Sequence, residues 1–332
     1  MNIQKNIPLA QYTTFKTGGP ADFFCEVNTK NDLVECFEWI KNNKKDFYIL
    51  GGGSNLLIND LGFRGIVIKI SNTNISWEGS RSAVGAGTSL ISLINEAKKN
   101  NLGGLEWAFG IPASLGGAVR NNAGAFGYDM AGVVKAVTIF DANKEEFFSI
   151  PQNRCDFTYH KSVFHNNPGW ILWEIEISWE NSDGKTIQKN IANFVERRKA
   201  DQPLEFPSAG SFFRNPQLSR LSDVRQEGLI KSFVENELDK SHDDQKKKGI
   251  EKEIRNKINK NNLIPAGFLI ESAMLKGKTI GGAQVSNKHA NFIINTGNAK
   301  TEDVVILASI IKQKVRTKFA IQLHEEVEYV GF

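Results

Sequence analysis

Three consecutive glycines directly after a strand-like segment constrain the fold more than any other feature. In YILGGGSNLLI (residues 48–58), Gly51, Gly52 and Gly53 precede Ser54 and Asn55. Glycines let backbone amides approach an anion, and the two polar side chains add hydrogen-bond donors. The stretch predicts either a phosphate-binding loop or a tight strand-to-strand turn. It is not a Rossmann fingerprint, because an apolar LLI follows where a helix should begin.

A second glycine-rich stretch, WAFGIPASLGGAVRNNAGAFG, spans residues 107–127. Ser114, Asn121 and Asn122 lie among its closely spaced glycines and alanines. Small side chains let a planar group lie against the backbone, and polar side chains between them can meet its edge. Together the two stretches predict a site for a large cofactor, and a dinucleotide with a planar ring fits both.

Before residue 196 the chain alternates strand-like and helix-like patterns. ADFFCEV (21–27) and FYIL (47–50) read as strands on either side of a helical pattern, which predicts a βαβ opening. The helical positions are Leu33, Val34, Phe37 and Ile40. WILWEIEISWE (170–180) alternates like a strand with one buried face. Its alternating positions are Ile171, Trp173, Ile175, Ile177 and Trp179.

Two threonines are predicted to cap helices, because a hydroxyl oxygen at the N-cap accepts a backbone N–H. Thr88 precedes a helical pattern that begins at Leu90, and Thr301 precedes a second that continues to Val315. The terminal EEVEYVGF predicts a final strand.

Composition indicates an ordinary globular protein. The chain has 332 residues, 40% hydrophobic and 23% charged, enough for two or three domains. Cys25, Cys36 and Cys155 are too far apart in sequence for a disulfide framework or a CxxC site, so we expect reduced thiols and no metal. The start lacks an apolar signal segment, and no run approaches the roughly 18 apolar residues of a membrane span. We therefore predict a cytoplasmic protein without stable membrane insertion.

The net charge of +4 is concentrated in one segment. Residues 240–260 contain eight Lys or Arg and four Asp or Glu residues, a difference of +4. Because the rest of the chain is balanced, it lacks the basic footprint of a nucleic-acid reader, and we expect no nucleic-acid partner. The segment belongs to a charged insert over 217–262, for which we predict a solvated helix or mobile segment, with a weak membrane or protein contact as the alternative.

Seven motifs follow one another along the chain: TTFKTGGPA, ILGGGSNLL, GLEWAFGIPASLGGAVRNNAGAFG, YHKSVF, AGSFFRNP, LIESAMLKGKTIGGAQVSNKHANFIINTG and HEEVEYVG. In this order they resemble the UDP-N-acetylenolpyruvoylglucosamine reductase (MurB) family of peptidoglycan synthesis. The resemblance covers nearly the whole chain except the insert. The motif AQVSNKHANFIIN is similar to the shorter subtype, type II.

The resemblance implies an α+β fold with a two-lobed FAD-binding domain of the vanillyl-alcohol-oxidase (PCMH) type and a C-terminal α/β substrate-binding domain. The implied limits are 1–72 and 73–195 for the two lobes and 196–332 for the substrate domain, which contains the insert and ends in a strand. The implied reaction is reduction of UDP-N-acetylglucosamine enolpyruvate to UDP-N-acetylmuramate, with NADPH as hydride donor and non-covalent FAD.

The resemblance also implies roles for individual residues. Gly51, Gly52, Gly53, Ser54 and Asn55 would hold the FAD pyrophosphate. Ile111, Pro112, Ser114, Gly116, Gly117, Asn121 and Gly124 would line the flavin and its linker. Tyr159, Arg198, Lys199, Asn215 and His289 would contact the nucleotide-sugar substrate.

Ser211 stands between a glycine and two phenylalanines in PSAGSFFRNP. The local sequence leaves a turn residue, a cap, a nucleophile and a proton donor open, although the absence of a GxSxG elbow disfavours a hydrolase nucleophile. By resemblance Ser211 is the proton donor. Hydride addition to the enolpyruvyl ether leaves negative charge that must be stabilised and then protonated. Glu326, with a cation near it, is implied to stabilise that enolate.

Two positions depart from the family pattern. His160 follows Tyr159 where the family has arginine, and His324 replaces the first acidic residue of the terminal LExEV pattern. We expect His160 to supply the arginine's positive charge near the substrate carboxylate. Lys161 is the alternative, although an extended segment would direct its side chain to the opposite face.

These departures leave two other functions open. One is a flavin-binding or nucleotide-sugar-binding relative that has lost turnover, and the other is a different flavin oxidase or dehydrogenase. Retention of Ser211, Asn215 and Glu326 together favours the reductase.

Overall fold

The computed structural model describes residues 1–217, 223–237, 248, 250–252, 255 and 263–332. The chain forms two compact units: the first comprises Met1–Asp201 and Val330–Phe332, and the second comprises Gln202–Tyr329. A helix, Gly184–Asp201, continues past residue 195, the predicted end of the second lobe. The division of the first unit into lobes at residue 72 stays a prediction.

The first unit contains two main sheets and four α-helices. The helices are α1 (Lys30–Asn43), α2 (Leu90–Lys99), α3 (Leu115–Arg120) and α4 (Gly184–Asp201). The strands are β1 (Ile3–Pro8), β2 (Pro20–Val27), β3 (Phe47–Leu50), β4 (Leu56–Ile58), β5 (Phe63–Ile70), β6 (Ile75–Glu78), β7 (Arg81–Gly85), β8 (Leu102–Gly103), β9 (Gly124–Ala125), β10 (Tyr128–Asp129), β11 (Val134–Asp141), β12 (Glu146–Pro151), β13 (Trp170–Ser178) and β14 (Glu180–Asn181). Single 3-10 turns occupy Leu9–Tyr12, Glu106–Ala108, Met130–Gly132, Gln152–Arg154 and Val163–His165.

The predicted βαβ opening is confirmed. Strands β2 and β3 both pair in parallel with β5, and β1 adds an antiparallel edge, so the sheet order is β1-β2-β5-β3. The second sheet is antiparallel, with the order β12-β11-β13-β7-β6. Ile68 on β5 and Phe140 on β11 belong to the same buried apolar cluster. One core therefore joins both sheets.

Helix α1 begins and ends where its sequence directs. The Thr29 hydroxyl accepts the Asp32 backbone N–H at 3.1 Å, and the Asp32 carboxylate accepts the Thr29 N–H at 2.9 Å. This reciprocal cap satisfies two amides that the first helical turn leaves unpaired. The helix stops at Lys44, whose φ of 49° is left-handed.

Both predicted threonine caps are wrong by one residue. Helix α2 is capped by Ser89, whose hydroxyl accepts the Ser92 N–H at 3.1 Å, whereas Thr88 lies outside the helix. At the second site Lys300 is the N-cap and Thr301 is the first helical residue, because the Asp303 carboxylate accepts the Lys300 N–H at 2.9 Å. At both sites the observed cap is the residue adjacent to the end of the helix as the structure has it, and its bond joins residues three apart.

Strand β13 confirms the predicted alternation. Ile175 and Ile177 are fully buried, whereas Glu176 between them is exposed. Strand β13 lies between β11 and β7, so its apolar face reaches the centre of the core.

The cysteines are free, as the sequence predicted, and all three are buried. The sulfurs of Cys25 on β2 and Cys36 on α1 lie 3.2 Å apart. This thiol contact, together with burial, raises the pKa of Cys36. Burial raises the pKa of Cys155 to about 11.

The second unit is built on one antiparallel sheet with the order β15-β18-β17-β16. In the described parts of this unit the strands are β15 (Ser208–Ser211), β16 (Thr279–Ile280), β17 (Ala283–Val285) and β18 (Phe292–Asn295), and the continuous helices are α5 (Asp223–Glu237), α6 (Ala266–Ser272) and α7 (Thr301–Phe319). The predicted final strand is β19 (Glu328–Val330). Its last residue, Val330, belongs to the first unit, where its carbonyl accepts the Asn59 N–H at 2.9 Å.

The first part of the predicted insert is a packed helix. Phe233 on α5 is fully buried, and its ring centroid lies 4.2 Å from that of Phe268 and 5.6 Å from that of Phe319. The prediction of a solvated or mobile segment is therefore wrong for α5, whose apolar residues complete a core with α6 and α7. Most of 238–262 lies outside the described residues.

In the part of the chain that the structure describes, none of the helices combines the length and apolar character needed to cross a bilayer.

Truncating the buried face of β13 should destabilise the first unit. Ile175→Ala removes packing from a fully buried position, so we expect a loss of about 3 kcal/mol in the free energy of unfolding. Ile91→Ala on the surface of α2, where the side chain is 39% exposed, is the control and should cost less than about 1 kcal/mol. Urea titration followed by circular dichroism measures both losses. Equal losses would contradict the assignment of Ile175 to the core.

Candidate active site

The two glycine-rich stretches meet directly in the first unit. A Cβ on Gly51 would lie 2.5 Å from the Ser114 hydroxyl, and a Cβ on Gly52 would lie 2.7 Å from the Ser114 backbone nitrogen. Gly53 has a φ of +64°, and a Cβ there would lie 1.9 Å from the Tyr12 carbonyl oxygen. At Gly52 and Gly53 the close atoms are backbone, so only glycine fits there, whereas a side chain at Gly51 would displace the Ser114 hydroxyl. The prediction that both stretches contribute to one site agrees with this contact.

The first glycine loop has the donors that a diphosphate requires. The backbone N–H groups of Gly52, Gly53 and Ser54 make no hydrogen bond with any protein group that the structure describes. Gly53 is nevertheless buried, which makes an unbonded amide costly unless a ligand accepts from it. Successive free amides form a concave anion site. The loop therefore fits the pyrophosphate of FAD.

The short helix α3 fixes the backbone of the second glycine stretch. Ser114 is the N-cap of α3 and accepts the Gly117 N–H at 3.3 Å. Gly116 donates to the Ala86 carbonyl at 2.8 Å, and a Cβ there would lie 2.9 Å from the Ala86 side chain. Ser114 and Gly116 are buried, so they shape the loop.

The other predicted flavin-lining residues keep some exposed surface. Pro112 is exposed, and the remaining members are half-buried: Ile111, Gly117, Asn121 and Gly124. Beside them, the buried Thr88 hydroxyl has no hydrogen-bond partner among the described residues, and its carbonyl accepts the Leu115 N–H at 2.8 Å. The sequence indicated Thr88 only as a helix cap.

Asn122 connects the second stretch to the turn that carries Tyr159 and His160. Its side-chain amide donates to the Thr158 carbonyl at 3.0 Å and to the Asp129 carboxylate at 3.2 Å, and its oxygen accepts the Ala131 N–H at 2.9 Å. This fully bonded side chain is 3% exposed. It fixes the distance between two predicted site segments.

His165 braces the predicted flavin residue Asn121, and sequence reasoning missed it. Its Nε2 lies 3.1 Å from the Asn121 side-chain oxygen, and its Nδ1 accepts the Ser162 backbone N–H at 3.3 Å. The Ser162 hydroxyl donates to the Arg120 carbonyl. The only sequence signal was a serine three residues before a histidine, which is too common to identify a brace.

The segment around His160 is a tight turn. Thr158 and Lys161 exchange backbone N–H···O=C bonds at 2.9 and 3.2 Å, which leaves Tyr159 and His160 at the tip. His160 has a left-handed φ of 49°, and its ring centroid lies 4.4 Å from that of Tyr159, which is 45% exposed. The assumption of an extended segment, used to discount Lys161, is therefore wrong.

Arg198 and Lys199, adjacent near the end of α4, differ in environment. Arg198 is 6% exposed and donates to the backbone carbonyls of Trp107 and Phe109. Lys199 is exposed. Of the two predicted substrate contacts, Lys199 has the accessible side chain.

In the second unit, Ser211 ends β15 and its neighbours are locked in place. Ser211 pairs with Phe292 on β18, and the rings of Phe212 and Phe213 are each 1% exposed. Asn291, 4% exposed, uses both side-chain atoms on Phe213: its oxygen accepts the Phe213 N–H at 3.0 Å and its amide donates to the Phe213 carbonyl at 2.8 Å. Sequence reasoning missed this asparagine.

Glu326 lies beside the Ser211 segment. Its backbone N–H donates to the Phe212 carbonyl at 2.8 Å, and Arg214 N–H donates to the His324 carbonyl at 2.9 Å. Burial raises the pKa of Glu326 to about 7, although the positive charge of Arg214 acts in the opposite direction. The replaced position, His324, contributes its backbone to this ladder, and its side chain is exposed.

Asn215 and His289 both contact the start of α6. The Asn215 side-chain oxygen accepts the Ala266 N–H at 2.8 Å, and a Cβ on Gly267 would lie 3.3 Å from the His289 ring. His289 Nδ1 accepts the Asn291 N–H at 3.2 Å. Ser211, Asn215, His289 and Glu326 therefore belong to one connected set of segments within the second unit.

The fold and the glycine loops define the class: an FAD-binding oxidoreductase. Residues 21–146 match the family described as FAD binding domain, and residues 202–330 match the family described as UDP-N-acetylenolpyruvoylglucosamine reductase, C-terminal domain. These matches confirm the predicted α+β fold with an FAD-binding domain and a separate C-terminal domain.

Known proteins resemble the chain along its whole length. It is 39% identical over 333 aligned positions to UDP-N-acetylenolpyruvoylglucosamine reductase of Carboxydothermus hydrogenoformans, covering 99% of this chain and 94% of the relative. The Caldanaerobacter subterraneus enzyme of the same name is 36% identical, with 98% and 93% covered. The crystal structure of MurB from Thermus caldophilus superposes with a TM-score of 0.72 at 30% identity over 99% of both chains. The chain belongs to the UDP-N-acetylenolpyruvoylglucosamine reductase family.

Glu326 should make stability depend on pH. Its carboxyl has a pKa of about 7 in the folded chain and an ordinary value of 4.5, so between these pH values the folded state holds a proton that the unfolded state releases. The free energy of unfolding should therefore fall as pH rises from about 4.5 to about 7, by roughly 1–3 kcal/mol relative to Glu326→Gln.

Urea unfolding of the wild type and Glu326→Gln at a series of pH values measures this difference. Arg214→Gln should enlarge the pH dependence, because it removes the charge that lowers the Glu326 pKa. A wild-type minus Glu326→Gln difference that stays constant from pH 4.5 to 8 would contradict the raised pKa.

Proposed function

We propose that this chain reduces UDP-N-acetylglucosamine enolpyruvate to UDP-N-acetylmuramate, using the residues described above in both units. When bound, FAD would accept a hydride from NADPH and deliver it to the methylene carbon of the enolpyruvyl ether. The protein must then hold the cofactor, stabilise the negative charge that appears on the substrate and supply one proton to carbon.

The unbonded amides of Gly52, Gly53 and Ser54 support the cofactor role. They present three donors to a diphosphate, with Gly53 buried between the exposed Gly52 and the half-buried Ser54, and Asn55 follows in the same loop. Gly117, Asn121 and Gly124, which keep exposed surface on the second stretch, are proposed to line the ring and its linker, together with Ile111 and Pro112. Ser114 and Gly116 shape that stretch from its buried side.

The pairing of the Ser211 strand with the Glu326 segment is the observation that carries the catalytic proposal. Both segments join at the Phe212 carbonyl, and the aromatic side chains beside Ser211 are withdrawn from water. A serine hydroxyl is a weak acid, but next to a carbanion it need only be oriented and polarised. Ser211 is therefore proposed to protonate the substrate carbon after hydride addition.

Glu326 is proposed to stabilise the enolate before that proton arrives. With a pKa of about 7, its carboxyl is protonated in a large fraction of molecules at neutral pH. A protonated carboxyl donates a hydrogen bond to an enolate oxygen, whereas an ionised carboxylate only accepts. Arg214, whose positive charge acts on Glu326, is proposed to be the cation expected near this glutamate.

The nucleotide-sugar contacts are proposed for residues with accessible polar surface. Tyr159 and Lys199 are exposed, and Asn215 and His289 are half-buried at the start of α6. His160, at the tip of the 158–161 turn, is proposed to face the substrate carboxylate. Arg198 is buried against backbone carbonyls, which sets it apart from this group. A cytoplasmic location, where the NADPH is, is part of the same proposal.

Replacing Ser211 by alanine should separate the two half-reactions. The purified wild type should be yellow, release intact FAD on denaturation and turn over NADPH continuously only when the enolpyruvyl compound is present. Ser211→Ala should keep reduction of the flavin by NADPH and slow its reoxidation by the enolpyruvyl compound roughly 100- to 10,000-fold, the range of general acid catalysis.

Stopped-flow absorbance at the flavin band measures each half-reaction, and Ser208→Ala on the same strand is the control. Equal slowing of both half-reactions would make Ser211 structural. A wild type that takes up no FAD, or does not reduce the enolpyruvyl compound, would remove the proposed function itself.

The charge of the proposed cation near the substrate carboxylate should depend on pH, and turnover should change with it. If His160 supplies it, turnover falls as pH rises through the histidine titration, and His160→Arg keeps activity at alkaline pH. A charge-assisted hydrogen bond of about 1.5–3 kcal/mol corresponds to about 10- to 150-fold in rate. Because Glu326 titrates in the same range, the informative quantity is the difference between the two pH profiles from about pH 6 to 8.5.

Lys161→Met is the matched variant, since Lys161 closes the same turn. A severe loss in Lys161→Met, together with identical profiles for the wild type and His160→Arg, would assign the charge to Lys161.

A further inference from the structure

Arg198 is a buried cation held by the start of the second glycine stretch (residues 107–127). Its Nη2 donates to the Trp107 carbonyl at 2.9 Å and its Nε donates to the Phe109 carbonyl at 3.2 Å. Its aliphatic part lies against Gly110, where a Cβ would come within 3.3 Å of Arg198 Cδ. Since Gly110 also has a φ of +90°, the chain turns around the arginine at this point.

The same guanidinium reaches the end of the stretch. Its central carbon lies 5.1 Å from the centroid of the Phe126 ring, a cation–π distance. Phe194, one helical turn before Arg198 on α4, stacks on that ring at 5.2 Å with an interplanar angle of 30°. One side chain therefore contacts both ends of a stretch of 21 residues.

The electrostatics of Arg198 are unusual. No carboxylate among the described residues pairs with it, and its charge is balanced by carbonyl dipoles and the face of an aromatic ring. Burial accordingly lowers its pKa from the ordinary value. A buried guanidinium is costly unless its donors are satisfied. The arrangement therefore favours only loop conformations in which Trp107 and Phe109 present their carbonyls to it.

We propose that Arg198 is a positioning residue for the cofactor: by joining the two ends of the second glycine stretch, it sets the affinity of the first unit for FAD. Its unneutralised charge also favours an anionic ligand near this stretch. The adjacent Lys199, which is exposed, remains the residue proposed to meet the substrate. Because FAD is taken as the cofactor, the inference rests on the proposed function.

Binding of FAD to the apoprotein tests the inference directly. Arg198→Met should raise the FAD dissociation constant roughly 10- to 100-fold, because two charge-assisted hydrogen bonds are lost. Arg198→Lys keeps the charge but not the two-carbonyl geometry, and should recover part of the affinity. Arg197→Met is the control: Arg197 lies 4.4 Å from the same Phe126 ring but is exposed, so it should change the constant less than about threefold.

Two further measurements separate positioning from other roles. At saturating FAD the visible circular dichroism of the bound flavin should change in Arg198→Met, whereas KM for the enolpyruvyl substrate should change less than about threefold. Lys199→Met should show the reverse pattern, with a raised substrate KM and an unchanged FAD constant. If Arg198→Met does not fold, the FAD dissociation constants of Arg198→Lys and Arg197→Met are compared instead.

An unchanged FAD constant in the folded Arg198 variants, with a raised substrate KM, would overturn the inference and return Arg198 to substrate contact. Parallel assays of the wild type keep the two questions apart. A wild type that does not bind FAD invalidates the proposed function, whereas a wild type that binds FAD as tightly as the Arg198 variants invalidates only the inference.

Discussion

The contact of Gly51 and Gly52 with Ser114 is the constraint on which the first unit depends. Ser114 caps α3, so its position is fixed by a helix that begins in the second glycine stretch, and the first stretch reaches it only because two residues lack a side chain. A Cβ on Gly52 would collide with the backbone of Ser114, and a Cβ on Gly51 would displace its hydroxyl. The second stretch therefore contains buried residues that shape the loops and half-exposed residues that can meet a ligand. Several glycines of the motif are thus needed for packing of protein on protein, before any ligand is considered.

The second unit contains residues that fix the backbone and residues that are proposed to act on the substrate. Asn291 uses both atoms of its amide on the Phe213 backbone, and Asn215 fixes the start of α6, so the strand that ends at Ser211 has little freedom. Glu326 joins the same backbone ladder through Phe212. If Ser211 and Glu326 act as proposed, groups held this way need no reorganisation when charge develops on the substrate, which is the condition for strong electrostatic stabilisation. The half-buried setting that raises the Glu326 pKa is a consequence of the same close packing.

Features that depend on local sequence were predictable, and features that depend on distant contacts were not. The βαβ opening, the alternation in β13 and the glycine loops follow from periodicity and from the special dihedral freedom of glycine. The helix caps were missed by one residue, because neighbouring hydroxyl and carboxylate groups compete and the sequence does not state which one the tertiary structure favours. Asn122 was indicated only as a polar residue that could meet a planar group, and His165 and Asn291 were missed, because each is an ordinary polar residue whose partners lie far along the chain or in a separate turn. Helix α5 was mistaken for solvated chain, because its burial depends on Phe268 and Phe319, which follow much later.

The buried contact between Cys25 and Cys36 makes local opening of the first unit measurable through thiol modification. A thiol reacts with alkylating reagents as the thiolate, and both burial and the neighbouring sulfur suppress that form at Cys36. Modification therefore requires that β2 and α1 separate, and its rate measures how often this local opening occurs. Since β2, α1 and β3 lead directly into the first glycine loop, the two thiols report the fluctuations of the scaffold that presents the loop, without any added label.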